Sequence, residues 1–218
     1  MKKILLILLF GITLSTGFAN QTGGNMKLPE PKYTSNISVE EAMLKRRSVR
    51  SYKDKALTVE EVSQILWSVQ GKTAEWGGRT VPSAGATYPL EIYLVAGKVE
   101  GIEPGVYHYN PANHSITIKK QSDVRSKLAI AALGQEYIAK APISIVISAI
   151  YERTTRRYGE RGIRYVYMEA GHAGQNCHLQ CETMGLGTVM IGAFDDEEVK
   201  RVLGIAEAPL YIMPVGKK

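Results

Sequence analysis

Two periods alternate along the chain. From Thr58 to Gln70 the apolar residues Val62, Ile65, Leu66 and Val69 recur at helical spacing, behind a Thr-x-x-Glu capping box, and Gly71 closes the run. Ser38 to Arg47 opens with the same device, Ser-x-x-Glu, and predicts a second helix. Leu90 to Ala96 alternates with the period of a strand, and Val106–Tyr109 and Ser115–Ile118 flank Asn110–His114 as a hairpin. Val124 to Leu133 reads as helical. Ala141-Pro142 then introduces Ile143–Ile150, an apolar, β-branched run of the kind found in a central strand buried on both faces. Gly162 to Met184 predicts a long helix ended by Gly185. Val189–Phe194 reads as a strand, Asp195–Leu203 as a short helix with acids in its first turn, and Leu210–Val215 as a last strand. Hairpins and long helices together predict an α+β fold of about six strands and about five helices rather than a doubly wound sheet.

The first nineteen residues break this pattern. Lys2 and Lys3 precede the apolar stretch Ile4–Leu14 (Gly11 and Thr13 aside), and Gly17 and Ala19 stand at −3 and −1 of a cleavage after Ala19. This is the layout of a secretory signal peptide, too short to span a membrane. The expected organisation is a signal peptide at 1–19, a flexible Gly/Pro/Asn-rich lead-in at 20–37, and one domain at 38–218. The mature protein is expected outside the cytoplasm, in the periplasm or beyond, with no stable membrane span. Its 44% hydrophobic residues suit a single core. Cleavage removes two lysines and no acid, so a net charge of +6 becomes +4. The cations are scattered, which argues against a nucleic-acid partner. Cys177 and Cys181, spaced i,i+4, match no standard zinc pattern and sit too far apart on a helix for an undistorted disulfide. They read as small apolar residues of a buried face, and no metal is expected.

Three segments are candidates for chemistry. In Arg46-Arg47-Ser48-Val49-Arg50 a helix ends and the chain becomes extended, so that Arg46, Ser48 and Arg50 share one side. Two guanidiniums around a hydroxyl make a phosphate cradle; equally, they suit a solvated helix C-terminus. Val81–Pro89 is a run of small residues between prolines, able to bring backbone close to a flat ligand or simply to connect two elements. Gly185-Leu186-Gly187, followed by Ile191-Gly192-Ala193-Phe194, places backbone N–H groups at a strand end. No Gly-x-Gly-x-x-Gly, P-loop, His-Glu-x-x-His or Gly-x-Ser-x-Gly is present.

In order, the chain reads Arg-Arg-Ser-x-Arg, Pro-Ser-Ala-Gly-Ala-x-Tyr-Pro, Glu-Ala-Gly-His-x-x-Gln-Asn (Glu169 to Asn176), Gly-Leu-Gly, Gly-Ala-Phe-Asp-Asp (Gly192 to Asp196) and Pro-Val-Gly (Pro214 to Gly216). This succession resembles the nitroreductase superfamily of FMN-dependent oxidoreductases, with middle and late motifs most similar to its SagB-type dehydrogenase branch. The resemblance runs over about residues 38 to 218. It implies a nitroreductase-like mixed sheet wrapped by helices in an intertwined homodimer, with FMN held between the two chains. Carried onto this chain, Arg46, Ser48 and Arg50, assisted by Arg47, would hold the phosphate and ribitol. Pro82, Ser83, Ala84 and Gly85 of the other chain would contact the isoalloxazine. Gln135 would set an amide against the flavin or its ligand, Ile191, Gly192 and Ala193 would lie along the ring, and Lys217 would neighbour the phosphate.

The chemistry so implied is the cofactor's: hydride transfer through flavin N5 to or from a small organic substrate of nitro, quinone or enone type, with NAD(P)H or another electron donor. Two other readings stay open. One is azoline oxidation on a modified peptide, as in SagB-type enzymes, whose Lys-Tyr pair serves proton removal. Here Arg157-Tyr158 stands in that region, and an arginine is a poor base. The other is flavin binding without turnover. Tyr158 is the candidate catalytic proton donor, or else a structural tyrosine in a polar loop. Arg156, Arg161 and Arg164 would recognise an anionic substrate or be solvated.

Overall fold

The computed structural model describes residues 24–218, so the expected signal segment lies outside the described residues. Among these residues seven strands form one sheet: β1 (Asn25–Lys27), β2 (Leu90–Ala96), β3 (Gly105–Asn110), β4 (Ser115–Lys120), β5 (Ile143–Ala149), β6 (Leu186–Thr188) and β7 (Ala208–Lys217). Their spatial order is β1-β4-β3-β2-β5-β7-β6, and every ladder is antiparallel. Parallel pairing is confined to the isolated bridges Ser48–Thr188 and Leu57–Val99. Seven α-helices among the described residues accompany the sheet: α1 (Val39–Lys45), α2 (Val59–Gln70), α3 (Arg125–Ala131), α4 (Glu136–Lys140), α5 (Glu152–Tyr158), α6 (Arg161–Thr183) and α7 (Asp196–Leu203). The α+β expectation is met. Among the described residues no helix is long and apolar enough to cross a membrane.

The β5 run sits between β2 and β7 and is buried at every position. Alternation splits its neighbours into two cores. Ile92, Leu94, Ile143, Ile145 and Ile147 pack with α2 and α6. Tyr93, Val95 and Val146 pack with Leu128, Ile138, Val199 and Leu203 of the helices α3, α4 and α7. On α6 the small residues Ala170, Ala173 and Gly174 lie on the buried stripe with Cys177 and Cys181, and a Cβ on Gly174 would sit 2.1 Å from the Met190 sulfur. Close packing is therefore the use of those small residues. Both cysteines are buried and free, as expected. The capping box at Thr58 is formed in both directions, and Ser38 and Asp195 cap α1 and α7.

Four local expectations change. The lead-in 20–37 is not simply flexible where it is described: Asn25–Lys27 pairs with β4, Leu28 is 2% exposed, and the Gln64 amide bonds both the N–H and the C=O of Lys32 at 2.8 and 3.0 Å. Its Gly/Pro/Asn composition opposes long regular elements but leaves Met26 and Leu28 free to dock. The strand expected at Val189–Phe194 lies earlier, at Leu186–Thr188; beyond it Val189 and Ile191 are buried, and Ile191 alone bridges Ile212. Helices α4 and α5 are additional elements, too short for a periodic signal. Tyr158 consequently ends a helix rather than lying in a loop.

The edge strand β6 accepts another segment, because Val49 N–H donates to Thr188 O at 2.9 Å. That approach needs Gly187: a Cβ there would stand 2.7 Å from Val49 Cβ, inside any real contact. Gly187→Ala is expected to cost about 1–3 kcal/mol through overpacking against a stiff β-branched side chain. Urea unfolding would register this as a lower midpoint with an unchanged slope.

Candidate active site

One group of candidate residues gathers at the β6–β7 edge. Helix α1 ends where Arg46 takes ψ 123°, and the chain runs extended along β6 with Ser48 bridged to Thr188. The Tyr52 hydroxyl bonds Val49 O at 2.8 Å, and Lys53 N–H bonds Lys217 O at 2.9 Å, which straps the segment down on both sides. Val49 faces Gly187, so Ser48 and its alternate neighbours Arg46 and Arg50 point the other way. Arg47 turns back, its Nη1 donating to Leu44 O (3.0 Å) and Arg46 O (2.7 Å), and it serves as the cation at the helix end. Among the described residues no ion pair engages Arg46, Arg47 or Arg50. Arg50 lies 5.9 Å from the centre of the Tyr137 ring. Beneath Arg46, burial and that neighbouring charge push His178 down to about 4, so it is neutral at neutral pH.

Gln135 belongs to this group in a way the motifs do not reveal. Its amide nitrogen donates to Ala132 O (2.8 Å) and Ala193 O (2.9 Å), and its oxygen accepts from the Tyr137 hydroxyl. It holds the exposed residues Gly192 and Ala193 in place, while Ile191 is fixed by reciprocal 3.0 Å bonds with Ile212. Lys217 is engaged elsewhere: it pairs with Glu61, the residue that completes the α2 capping box. A phosphate contact from Lys217 would have to displace that carboxylate.

The second group surrounds Pro82–Tyr88. Ala84–Ala86 is a 3₁₀ turn; Gly85 (φ 58°) and Ala86 (φ 54°) within it and Tyr88 (φ 44°) just beyond it all occupy the left-handed region. For the last two this is unfavourable and persists because many contacts enforce it. Tyr88 N–H donates to Ser83 Oγ at 2.9 Å, the Thr87 and Thr154 hydroxyls meet at 2.8 Å, and Arg153 donates to Tyr88 O at 3.0 Å. Arg157 donates to Gly85 O at 3.1 Å. A Cβ on Gly85 would lie 2.5 Å from the Tyr158 hydroxyl, so this glycine is what lets the tyrosine reach the loop. The Tyr158 ring stands edge-on to Tyr165, with centroids 5.2 Å apart. Arg156, Arg161 and Arg164 are exposed.

Beneath the loop lies a polar cluster that sequence reasoning missed. Asn176 donates to Ser68 O and Thr80 O, each at 3.2 Å, and ties the loop's entry to α2 and α6. Arg79 donates to Gln70 Oε1 at 2.8 Å and stacks 4.3 Å from the Tyr88 ring centre. Glu169, 3% exposed, faces this cluster; burial raises it to about 7, partly offset by Ser83, Arg79 and Gln70. Its position was legible in one respect: Glu169 and Asn176 are seven residues apart, on one face of α6.

The nitroreductase family model matches residues 43–217, all the segments just described. The chain belongs to the nitroreductase family. It is 52% identical over 196 residues to a putative nitroreductase of Methanocaldococcus jannaschii, covering 90% of this chain and 98% of that one. It is 30% identical over 149 residues to the microcin B17-processing protein McbC of Escherichia coli, covering 63% of this chain and 54% of McbC, so that only about half of McbC is represented. Among solved structures, a putative nitroreductase from Ralstonia eutropha JMP134 superposes with a TM-score of 0.78 at 25% identity, covering 89% of each chain.

Membership in this family makes the support of the 191–193 segment by Gln135 a testable point. Gln135→Leu removes the bonds to two carbonyls and one hydroxyl, and is expected to cost about 1–3 kcal/mol. Hydrogen exchange should localise the loosening to the segment after β6 rather than to the sheet.

Proposed function

We propose that this nitroreductase-family oxidoreductase uses FMN and works as an intertwined homodimer exported from the cytoplasm. In this reading it passes hydride to or from a small organic compound of nitro, quinone or enone type. NAD(P)H or another donor supplies the electrons. The observation that carries the cofactor is the Arg46–Arg50 segment. Two guanidiniums, without carboxylate partners among the described residues, flank an exposed hydroxyl, on backbone strapped to a sheet edge. That donor set fits a phosphate monoester, because paired arginines grip phosphate oxygens in a fork geometry.

Bound there, FMN supplies hydride transfer at N5, with donor and acceptor using one slot in turn. The protein's part is position. Arg46, Ser48 and Arg50 anchor the phosphate end. Gly192 and Ala193, held by Gln135, present backbone along the ring. Pro82–Gly85 offer a small-residue surface, with the Tyr158 hydroxyl beside it as a proton donor. The two groups are carried by different elements, and among the described residues no hydrogen bond joins them. A second copy supporting the site is favoured by a stripe on α6, where Tyr167 and Met168 are 55% and 52% exposed beside Ile163 and Gly171. The relationship to McbC keeps azoline oxidation on a modified peptide as a second reading, but Arg157 stands where that chemistry wants a base, and its guanidinium holds Gly85 O.

The test is the visible spectrum of protein expressed from residue 20, after addition of FMN and removal of excess. Two flavin bands are expected to remain, and the bound chromophore should be FMN. Arg46→Ala with Arg50→Ala should weaken FMN binding at least about a hundredfold, given the loss of two charged contacts of about 1.5–3 kcal/mol each, while leaving unfolding cooperative. A folded but colourless wild-type protein, or flavin retention by the double variant, would contradict the proposal.

A further inference from the structure

We infer that Arg153 is a positioning residue for the Pro82–Tyr88 loop, held in place from the sheet by Glu91 and His108. The loop needs such a support. Tyr88 stands at φ 44° and precedes Pro89, and a residue before proline prefers extended backbone. Two bonds oppose its escape: Tyr88 N–H donates to Ser83 Oγ at 2.9 Å, and Arg153 Nη1 donates to Tyr88 O at 3.0 Å. They fix the peptide planes on either side of Tyr88, and with them its backbone angles. Helix α5 touches the loop at two further points, Thr154 to Thr87 (2.8 Å between hydroxyls) and Arg157 to Gly85 O (3.1 Å). The surface offered by Pro82–Gly85 is therefore only as steady as α5.

Helix α5 is not steady by itself. It has seven residues, of which only Thr154 is buried, and no side chain caps its N-terminus. Its tie to the sheet is Glu91 of β2. Glu91 Oε1 lies 2.6 Å from Arg153 Nη2, and Oε2 lies 2.5 Å from Nε2 of His108 on β3. The imidazole packs against Tyr93, with ring centroids 5.1 Å apart. Burial by itself would raise the Glu91 carboxyl, but the hydrogen bond from His108 and the charge and hydrogen bond of Arg153 outweigh it and hold the group below its ordinary value. Both oxygens of the anion are thus engaged, and neither can turn without breaking a charge-assisted bond. Strand β2 in turn pairs with β5 along its whole length, from Leu90–Ala149 to Ala96–Ile143. Arg153 suits the middle of this chain of contacts. Its planar guanidinium offers one nitrogen to the carboxylate and another to the carbonyl at a fixed separation, a geometry that a lysine ammonium lacks.

That the loop faces a flavin rests on the function proposed above; its support by Arg153 does not, and is tested on flavin-free protein. Amide exchange of residues 83–88 is compared with that of the β2–β5 ladder. In Arg153→Met the loop should exchange at least about tenfold faster than in wild type, and the ladder within about threefold of it. Among the described residues Glu91 makes no hydrogen bond to the loop, yet Glu91→Gln should speed the same loop amides at least about threefold. Added to Arg153→Met, it should speed them by no more than about 1.5-fold, because Glu91 acts through Arg153. Equal acceleration of loop and ladder, which a loss of overall stability alone would produce, overturns the inference. So does a Glu91→Gln effect that is undiminished when Arg153 is absent. Should Arg153→Met fold poorly, Arg153→Lys keeps a cation opposite Glu91. Its ladder should then exchange at wild-type rates while its loop stays at least about threefold faster, and wild-type rates in both overturn the inference. Failure of the wild type to bind FMN would instead remove the functional reading, and the exchange rates would still decide the role of Arg153.

Discussion

Ile143–Ala149 has no solvent-facing side, and most of the architecture follows from that constraint. A strand buried on both faces demands an apolar layer above and below it and a paired neighbour on each edge. The neighbours are β2 and β7, and the layers are α2 with α6 on one side and α3, α4 and α7 on the other. With the centre fixed in this way, function is left to the margins. The β6–β7 edge receives the arginine segment. The turn leading into β2 becomes the small-residue loop, and α6 backs that loop with Glu169 and Asn176. A rigid centre carrying adaptable loops is the usual division of labour between packing and binding.

Both candidate groups obey one physical logic, in which backbone is fixed so that side chains remain available. Val49, Tyr52 and Lys53 strap the extended segment to the sheet through main-chain and hydroxyl bonds, leaving Arg46 and Arg50 without an ion pair among the described residues. Gln135 uses its whole amide on backbone and a neighbouring hydroxyl, so Gly192 and Ala193 can stand exposed without drifting. In the loop, the strain at Ala86 and Tyr88 is balanced by hydroxyl and guanidinium contacts from α5 and by the cluster below. Preorganisation of this kind is what a cofactor with fixed electronics requires of its protein.

Much of this was legible in the residues. The helical repeat of Val62, Ile65, Leu66 and Val69 and the unbroken β-branched run at Ile143 located the two strongest elements, because their burial is dictated by pattern alone. The extended alternation at Arg46, Ser48 and Arg50 was legible for the same reason. The docking of Asn25–Leu28 was not, since a three-residue edge strand has no period to detect. Helices α4 and α5 escaped because tertiary contacts stabilise five to seven residues that propensity would not. Arg47, Gln135 and Lys217 show the limit of motif reasoning: the motif supplies the residue, but its nearest partner (a helix-end carbonyl, a loop carbonyl, Glu61) is set by the fold. Glu169 stands within the Glu169–Asn176 motif, but its burial is set by the fold and not by the motif.

In the function proposed above, one chain carries two half-sites that a second copy completes. Subunit mixing tests it most directly. Neither a dimer altered only at Arg46 and Arg50 nor one altered only in the Pro82–Gly85 loop should retain FMN. When the two are unfolded together and refolded, sites built across chains leave one intact site in each mixed dimer, so flavin should return at about one per mixed dimer. If each site is built within a single chain, every site in the mixture carries a defect, and the mixed protein would stay colourless.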